Sequence, residues 1–470
     1  MTYSCELWLA LPELIVFSAA LFIILLGAFW QSRHVFTVLS LVFIASALYF
    51  TVSSVGYADQ VAFNQLYISD DFAKVAKLII LSLLATLLVV SRSNLRFCEY
   101  CALLLLAALG MLLAVSANDL ILLYLSLELQ SLALYILVSI ERGQPRSLEA
   151  GVKYFILSSV ASAITIYGFS LIYGFAGTTN FAQLASLDLA TDMPLMLGFA
   201  LVLSGLLFKV SAVPFHMWTP DVYQGAPTEI TMLLATMSKF TGVLVLIRML
   251  AHPLHSLHNQ QIISLLAILS IILGSLGAMR QKNIKRFMAY GSIAHIGYIL
   301  LALVTGTREG LAAAVLYTLI YLISAVGMFT IIIYLLNSPG SDSDYNIEEV
   351  GRRIAGFSFI SFATAIFMFS MAGLPPLVGF FAKFYVFMSI MENKMFILAI
   401  VAIVASVLSI AYYLRIIKIT CFSGAESYAI NGPKLLLGII FLAVISNLVL
   451  FAVPSFVKNI AVLMVESLGY

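Results

Sequence analysis

Long apolar runs recur along the whole of this 470-residue sequence. A bilayer core about 30 Å thick is crossed by about 20 helical residues, so a run of that length indicates a membrane span. Inside hydrocarbon each segment must satisfy its own backbone hydrogen bonds, which makes helix the assignment for every run. Numbered in chain order, the fourteen runs are 8–30, 34–55, 72–91, 97–116, 119–140, 149–176, 194–220, 228–250, 261–279, 286–305, 309–336, 354–390, 395–420 and 434–454.

The composition agrees with a membrane location. Of all residues, 62% are hydrophobic and 10% are charged, and the mean hydropathy is +1.08. A soluble domain of this length cannot hide so much apolar surface. The net charge of +2 and the lack of basic runs predict no nucleic-acid partner. Because no Pro- or Ser-rich linker divides the chain, residues 1–470 are expected to form one all-α polytopic membrane domain.

Basic residues predict how the chain crosses the bilayer. Loops that follow odd-numbered runs contain fourteen lysines and arginines. The other loops and the C-terminal tail contain four, namely Arg248, Arg308, Lys394 and Lys458. Cytoplasmic loops of membrane proteins carry the excess of positive charge. We therefore expect the odd loops inside and both termini on the outer side.

Four ionisable residues fall deep within the apolar runs. They are Glu128 in run 5, Lys209 in run 7, Lys239 in run 8 and Lys383 in run 12. A central charge costs ~2.5 to 3.5 kcal/mol to insert, so four cost on the order of 10 to 14 kcal/mol, comparable with the whole stability of a domain. Ion pairs that only fasten helices together are the alternative, but one carboxylate cannot pair with three separate lysines. A functional role is favoured.

Prolines interrupt two of the runs. Run 7 contains prolines at 214 and 220, and run 12 contains the pair 375–376. A proline removes a backbone donor and breaks a helix, and the freed groups must face protein or water at membrane depth. The deep lysine precedes proline 214 in run 7 but follows the proline pair in run 12. This reversal is typical of an inverted repeat, and we expect helices 7 and 12 to be broken.

Three further residues are weaker candidates for the same path. Lys153 lies near the inner end of run 6, where it either takes part or extends to the lipid headgroups. His295 lies at useful depth in run 10, and a neutral imidazole can pass protons between waters. A core histidine with satisfied hydrogen bonds is the alternative for that residue. His216, beside the break in run 7, either serves the path or caps freed backbone groups.

Charged residues at the start of run 3 have a simpler explanation. Lys74 and Lys77 follow Asp70 and Asp71 at helical spacing. Residues three and four apart are neighbours on a helix surface. The spacing therefore predicts local ion pairs.

No metal site is predicted. Cys98 and Cys101 form the one close cysteine pair, and no second pair completes a zinc site. His252, His255 and His258 recur every third residue without an accompanying carboxylate or cysteine. A solvated loop is preferred for these histidines.

The deep charges suggest proton transfer. Desolvation disfavours an ammonium ion, and a nearby carboxylate favours it. Lys209 would therefore change its protonation state as its distance from Glu128 changes. Lysines on helices 7, 8 and 12, joined by water, would give a proton path across the middle of the protein.

Five stretches of the chain resemble a known family, the antiporter-like membrane subunits of respiratory complex I (NADH:quinone oxidoreductase), and its N-type members most closely. They are LSLELQS at 125–131, SLEAGVKY at 147–154, FKVSAVPFHMWTPDVYQGAP at 208–227, NIKRFMAYGSIAHIGY at 283–298 and AGLPPLVGFFAKFY at 372–385. The stretch across run 7 is long and specific. The resemblance extends over almost the whole chain.

The resemblance implies a fold and roles for the deep residues. It implies inverted five-helix repeats of helices 4–8 (97–250) and 9–13 (261–420), preceded by helices 1–3 (1–92) and followed by helix 14 and a tail (434–470). Glu128 and Lys209 would be the coupled pair of the first repeat, Lys239 the connector and Lys383 the terminal lysine of the second. M-type subunits carry glutamate at that last position, and L-type subunits extend into a long lateral helix.

Members of this family are expected to move protons while quinone is reduced elsewhere in the complex. The resemblance implies no cofactor in this chain, because partner subunits bind NADH, FMN, iron–sulfur clusters and quinone. The expected partners are M-type and L-type subunits, the lateral helix of the L-type subunit, the small K-type and J-type subunits, and lipid. The expected location is a bacterial inner membrane, with the mitochondrial inner membrane as the alternative.

Two other functions remain open from the sequence. Cation/proton antiporters look like the same fold and share the buried acid and lysines. The TPDVYQGAP string at 219–227 and the lysine at 383 argue against that function. A passive scaffold that only spaces other subunits is the third hypothesis, and the cost of the deep charges is the main objection to it.

Overall fold

The structure is a computed structural model that describes residues 2–30, 32–56, 59–91, 97–187, 192–251, 257–336, 345–355, 358–422 and 432–469. The one sheet among these residues is an antiparallel hairpin of β1 (Gln60–Ala62) and β2 (Tyr67–Ser69). The first twelve helices are α1 (Thr2–Leu9), α2 (Leu11–Gly27), α3 (Arg33–Ser54), α4 (Asp71–Val90), α5 (Phe97–Val115), α6 (Leu120–Val138), α7 (Pro145–Ala176), α8 (Phe181–Ala185), α9 (Met193–Val210), α10 (Trp218–Gly225), α11 (Thr228–Leu233) and α12 (Lys239–Ala251). The others are α13 (Leu257–Met279), α14 (Ile284–Val304), α15 (Arg308–Leu336), α16 (Ile347–Ala355), α17 (Ser358–Ala372), α18 (Gly379–Glu392), α19 (Phe396–Phe422), α20 (Lys434–Ala452) and α21 (Pro454–Glu466).

The fourteen predicted runs correspond to apolar helices. Among the described residues, twelve helices are long and apolar enough to cross a membrane, and α2 and α17 are shorter apolar helices. The prediction of an all-α polytopic membrane protein is therefore confirmed. The hairpin and the short helices α1, α8, α16 and α21 were not predicted, because they lie outside or at the edges of the apolar runs.

Polar side chains start several helices. Asp70 accepts a hydrogen bond from the N–H of Ala73 in α4 at 2.8 Å, and Asp119 accepts from that of Ile121 in α6 at 2.7 Å. Asn283 does the same for α14. These contacts satisfy backbone donors that have no partner in the first helical turn.

The most buried helices are those in the centre of the bundle. The most apolar window within 228–251 is buried throughout, and α14 and α15 are nearly as enclosed. By contrast, most residues of α3, α19 and α20 are at least partly exposed. Such surfaces are suited to lipid or to neighbouring membrane subunits.

Both predicted breaks are present. In run 7, α9 ends at Val210, residues 211–217 form turns, and α10 follows. In run 12, α17 ends at Ala372 and α18 begins at Gly379. Run 8 is also irregular, because a π-helical turn at Leu234–Ser238 joins α11 to α12. Such turns are frequent at functional sites, and no sequence signal predicted this one.

The ion pairs at the start of α4 are only partly local. Lys74 pairs with Asp71 at 3.1 Å, as predicted. The prediction was wrong for Lys77, whose ammonium group lies 2.7 Å from Glu13 of α2 and donates to the Tyr67 hydroxyl at 2.6 Å. The side chain extends toward a neighbouring helix, which spacing along one helix does not predict.

Arg248 corrects the sequence analysis in a similar way. It was counted among loop residues, but it lies in α12 and is 3% exposed. Its guanidinium group donates to Asp70 at 2.9 Å, and Asp70 is 1% exposed. This buried pair joins α12 to the start of α4.

Candidate functional site

Serine hydroxyls lie between Glu128 and Lys209. The Lys209 ammonium group, at the end of α9, donates to Ser131 Oγ at 2.5 Å and to Ser158 Oγ at 3.1 Å. Glu128 accepts a hydrogen bond from the hydroxyl of Ser162. Among the described residues, Glu128 and Lys209 do not form an ion pair within 4.0 Å of each other.

The geometry of α6 and α7 explains this arrangement. Glu128 and Ser131 are three residues apart on α6, and Ser158 and Ser162 are four apart on α7, so each pair lies on one helix face. Glu128 and Lys209 are both partly buried. The two side chains therefore bond to different serine hydroxyls, each of which can both donate and accept a proton. The sequence analysis did not single out these three serines.

Lys239 lies at the first position of α12, directly after the π-helical turn. It is 2% exposed and donates to Ser292 Oγ of α14 at 2.5 Å. Its ammonium group lies 5.6 Å from the centre of the Tyr223 ring. The preceding residue, Ser238, accepts from Gln130 of α6 at 3.0 Å. Lys239 is therefore a buried lysine whose nearest polar partner is a neutral hydroxyl group.

Lys383 takes part in the break of helix 12. It is 3% exposed, and its ammonium group donates to the Ala372 carbonyl at 2.7 Å and to Ser409 Oγ at 3.1 Å. The first bond satisfies a carbonyl freed at the end of α17. Tyr298 contributes its ring face, with the ring centre 5.0 Å from the Lys383 ammonium group.

His295 lies among tyrosines between Lys239 and Lys383 along the bundle. It is 6% exposed; Nδ1 lies 2.7 Å from the Tyr317 hydroxyl and Nε2 lies 2.9 Å from the Tyr413 hydroxyl. Both ring nitrogens thus have a hydrogen-bond partner that can donate or accept. No pattern in the sequence identified the two tyrosines.

Lys153 is not buried. Its side chain is 44% exposed and pairs with Glu149 at 2.8 Å and with Asp221 at 3.2 Å. These residues line a cavity of about 270 Å³ together with Arg146 and Arg286. The structure therefore separates Lys153 from the buried lysines and places it in a charged surface cavity.

Asp221 joins three helices at that cavity. It lies on α10 and accepts from Lys153 of α7 and from Arg286 of α14, the latter at 2.5 Å. Burial raises the pKa of the Asp221 carboxyl, but the hydrogen bonds from Arg286 and Lys153 outweigh burial and hold that pKa below its ordinary value. The sequence analysis quoted Asp221 within a motif without giving it a role.

His216 lies in the turn after α9, is half-buried, and has a backbone hydrogen bond at Pro214 in the break of helix 7. Its Nδ1 has no hydrogen-bond partner among the described residues. Trp218 also contacts the end of α9, since its Nε1 donates to the Phe208 carbonyl at 3.1 Å. The Trp218 ring stacks on Tyr154 with ring centres 4.7 Å apart.

No metal site is visible in the described part of the chain. No group of three or more His, Cys, Asp or Glu residues there could hold a metal ion. The histidine series cannot be assessed, because His252 and His255 lie outside the described residues, as does the side chain of His258.

Comparisons with known proteins match this fold. Residues 117–409 match the family described as "NADH:quinone oxidoreductase/Mrp antiporter, TM". NADH-quinone oxidoreductase subunit N of Rhodospirillum rubrum is 40% identical, over 98% of this chain and 97% of that protein. A chain of respiratory complex I from Thermus thermophilus is 31% identical with a TM-score of 0.84, over 95% of this chain and 98% of that chain.

A chain of the Mrp complex from Dietzia sp. DQ12-45-1b has the same fold, with a TM-score of 0.87 and 21% identity, over 98% of this chain and 97% of that chain. The relatives at higher identity are subunits of an enzyme complex, and the match to them extends nearly from end to end. The chain therefore belongs to the family of NADH-quinone oxidoreductase subunit N, multi-pass inner-membrane subunits with the antiporter-like fold.

Proposed function

We propose that this chain translocates protons as part of NADH:quinone oxidoreductase. Quinone reduction in partner subunits drives the transfer, and Glu128, Lys209, Lys239 and Lys383 carry it. This chain supplies proton-binding side chains and no redox centre. NADH, FMN, iron–sulfur clusters and quinone are bound by other subunits.

The lysines' contacts are the observation that carries the proposal. Within the described residues, Lys209, Lys239 and Lys383 all donate to serine hydroxyls, and none has a carboxylate within 4.0 Å. A buried ammonium ion without a counter-ion is costly, whereas a neutral amine is not. Static ion pairs that fasten helices would have a different geometry. These lysines are placed so that they can lose and regain a proton.

Glu128 and Lys209 form one end of the series Glu128, Lys209, Lys239 and Lys383, and at this end the protonation state of Lys209 can be switched. The serines between them permit a change of distance without breaking a direct ion pair. When the carboxylate approaches, the ammonium form of Lys209 is favoured, and when it withdraws, the proton is released. Lys153, which is exposed, and His216, which is half-buried beside the break of helix 7, have secondary roles, while His295 lies between Lys239 and Lys383.

The proposal includes an orientation and partners. Both termini lie on the outer side of a bacterial inner membrane, as the distribution of basic residues indicates. Residues 97–250 and 261–420 act as inverted repeats, each with one broken helix. The M-type and L-type subunits with the lateral helix, and the small K-type and J-type subunits, cover the flanks of the bundle.

A cation/proton antiporter is the second candidate. It is favoured by the shared fold with a chain of an Mrp complex, although at 21% identity that likeness concerns the fold alone. Sodium-dependent transport by this chain without the other subunits of the oxidoreductase would support it.

The test compares Glu128→Gln and Lys209→Met, made separately, in membranes where assembly of the complex is verified. NADH-driven quinone reduction and proton pumping are both measured. Pumping is expected to fall on the order of tenfold or more in each variant, because a positioned proton-transfer group commonly contributes at least that much. Lys458→Met is the matched control, since it removes an exposed lysine on α21. Native pumping in both test variants would support a passive scaffold instead.

A further inference from the structure

Polar side chains of α14, α15 and α19 fill the interval between Lys239 and Lys383. Lys239 donates to Ser292, and His295 lies three residues further along α14 on the same face. At the other end, Lys383 donates to Ser409, and Tyr413 lies four residues further along α19 on the same face. The 2.9 Å contact between His295 Nε2 and the Tyr413 hydroxyl joins the two helices.

We propose that Tyr317, Tyr413 and Ser409 are proton-transfer residues that connect Lys239 to Lys383 through His295. The inference rests on the proposed function, because it assigns a route to protons that the lysines exchange. It adds α15 and α19 to the helices that carry transfer groups. It also means that proton transfer through His295 depends on both Tyr317 and Tyr413.

The hydrogen bonds of His295 require the tyrosines. A neutral imidazole has one N–H and one bare nitrogen, so it passes a proton by accepting at one nitrogen and releasing from the other. Tyr317 occupies Nδ1 and Tyr413 occupies Nε2, at 2.7 and 2.9 Å. A proton therefore reaches or leaves the ring through a tyrosine hydroxyl.

The transfer balances without any electron movement. The Lys239 ammonium group gives one proton to the Ser292 hydroxyl, which passes its own proton on toward Tyr317. Tyr317 gives its hydroxyl proton to His295 Nδ1 and receives the proton that arrives from Ser292. The proton on Nε2 moves to the Tyr413 oxygen, and Tyr413 passes its own proton toward Ser409. The Lys383 amine becomes an ammonium group. One proton has moved, and the net charge is unchanged.

Two gaps remain in the hydrogen-bonded route, and we assign water to both. One lies between Ser292 on α14 and Tyr317 on α15, and the other lies between Tyr413 and Ser409, which are four residues or about 6 Å apart along α19. A cavity of about 10 Å³ borders His295 and Tyr317, with Tyr321 and Ser324 also in its wall. That volume suits the centre of a single water molecule.

The packing of α14 against α19 also depends on Tyr413. A Cβ atom added at Gly291 would lie 3.1 Å from the Tyr413 hydroxyl oxygen. Glycine at this position therefore leaves room for the hydroxyl beside His295. Alanine would displace the hydroxyl by a few tenths of an ångström while it leaves every polar group in place.

The experiment uses the assembled complex in sealed vesicles and measures proton uptake and NADH oxidation together. Tyr317→Phe, Tyr413→Phe and Ser409→Ala are each expected to slow proton uptake on the order of tenfold or more. Gly291→Ala is expected to slow it less, with all hydroxyls retained. Tyr334→Phe is the matched control, because Tyr334 is also buried on α15 but lies about 25 Å along that helix from Tyr317.

The outcomes separate the route from the function. Lys239→Met and Lys383→Met are measured alongside. If these two lose pumping while Tyr413→Phe, Ser409→Ala and Gly291→Ala all pump at the native rate, the route is wrong and the proposed function stands. If Tyr317→Phe is the only one of the tyrosine and serine variants that loses proton pumping, the route through α19 is wrong as well. If the two lysine variants also pump normally, the proposed function fails first.

Discussion

Lys383 and Gly373 depend on each other at the break of helix 12. Gly373 has a φ of +80°, a region that other residues rarely adopt. A Cβ atom there would lie 2.6 Å from Cδ of Lys383. The lysine chain passes directly over the glycine on its way to the Ala372 carbonyl. The fold therefore requires glycine at 373 for both backbone and packing reasons.

We predict that Gly373→Ala destabilises the subunit by more than the ~1 to 2 kcal/mol of a left-handed non-glycine residue, because Lys383 must also move. Proton pumping should fall with it. The measurement is the temperature of half-inactivation of the purified complex together with pumping. Gly438→Ala is the control, since nothing lies within 4 Å of its added Cβ. An equal temperature of half-inactivation and equal proton pumping in the two variants would contradict the prediction.

The depth of the lysines could be predicted from the sequence, but their partners could not. Lys239 and Lys383 are 2% and 3% exposed, as their positions inside apolar runs implied. Their partners Ser292 and Ser409 come from other helices, and the rotation of one helix against another decides which side chains meet. Glu128 and Lys209 likewise bond to serines of α6 and α7, and no sequence pattern identified those serines.

At the scale of elements, one buried ion pair ties α4 to α12. Asp70 caps α4 and receives the Arg248 guanidinium group of α12 at 2.9 Å. We predict that Arg248→Met costs ~3 to 5 kcal/mol, because it leaves a buried carboxylate without its partner. The double variant Arg248→Met with Asp70→Asn should lose less stability than Arg248→Met alone. The yield and heat stability of the assembled complex measure this loss.

An exposed pair provides the control for that prediction. Arg308 pairs with Glu466, and both side chains are more than a third exposed. Arg308→Met should cost only about 0 to 1 kcal/mol, since exposed pairs contribute little. If Arg248→Met is as stable as Arg308→Met, the buried pair does not hold α12 to α4.

The stability that Asp221 of α10 contributes to the fold should depend on pH. The folded-state pKa of Asp221 lies below its ordinary value, so its pairs with Lys153 and Arg286 stabilise the fold above the unfolded-state pKa. That stabilisation disappears as pH falls through the folded-state pKa. The heat stability of the native complex should exceed that of Asp221→Asn at neutral pH, and the difference should shrink below about pH 4. A difference that grows toward acid would contradict this account.

Elements were predicted where local chemistry decides them. Prolines 214 and 375–376 located the two breaks, because a missing backbone donor acts at its own position. The π-helical turn before Lys239 had no such signal, since Leu234–Ser238 is an ordinary apolar stretch. The buried Arg248 was assigned to a loop because its partner Asp70 is distant in sequence.

At the scale of the whole molecule, the span that carries Lys239 lies in the interior, and helices with fewer buried residues surround it. That span is buried throughout, while most residues of α3 and α20 are at least partly exposed. Apolar runs alone predicted the fourteen long or shorter apolar helices, because a bilayer fixes the length of a span. They could not predict which helices are central, since run hydropathy is similar for both groups.

Proton transfer through this chain requires Lys209 to release its proton and not merely to hold a positive charge. Arginine keeps that charge but does not deprotonate in proteins, and the partly buried site leaves more room for it than the other two lysine sites. The decisive measurement is the number of protons moved per NADH oxidised in vesicles that contain the assembled Lys209→Arg complex, beside Lys209→Met. We predict that both variants lose pumping to a similar extent. Native pumping by Lys209→Arg would contradict proton transfer through this residue.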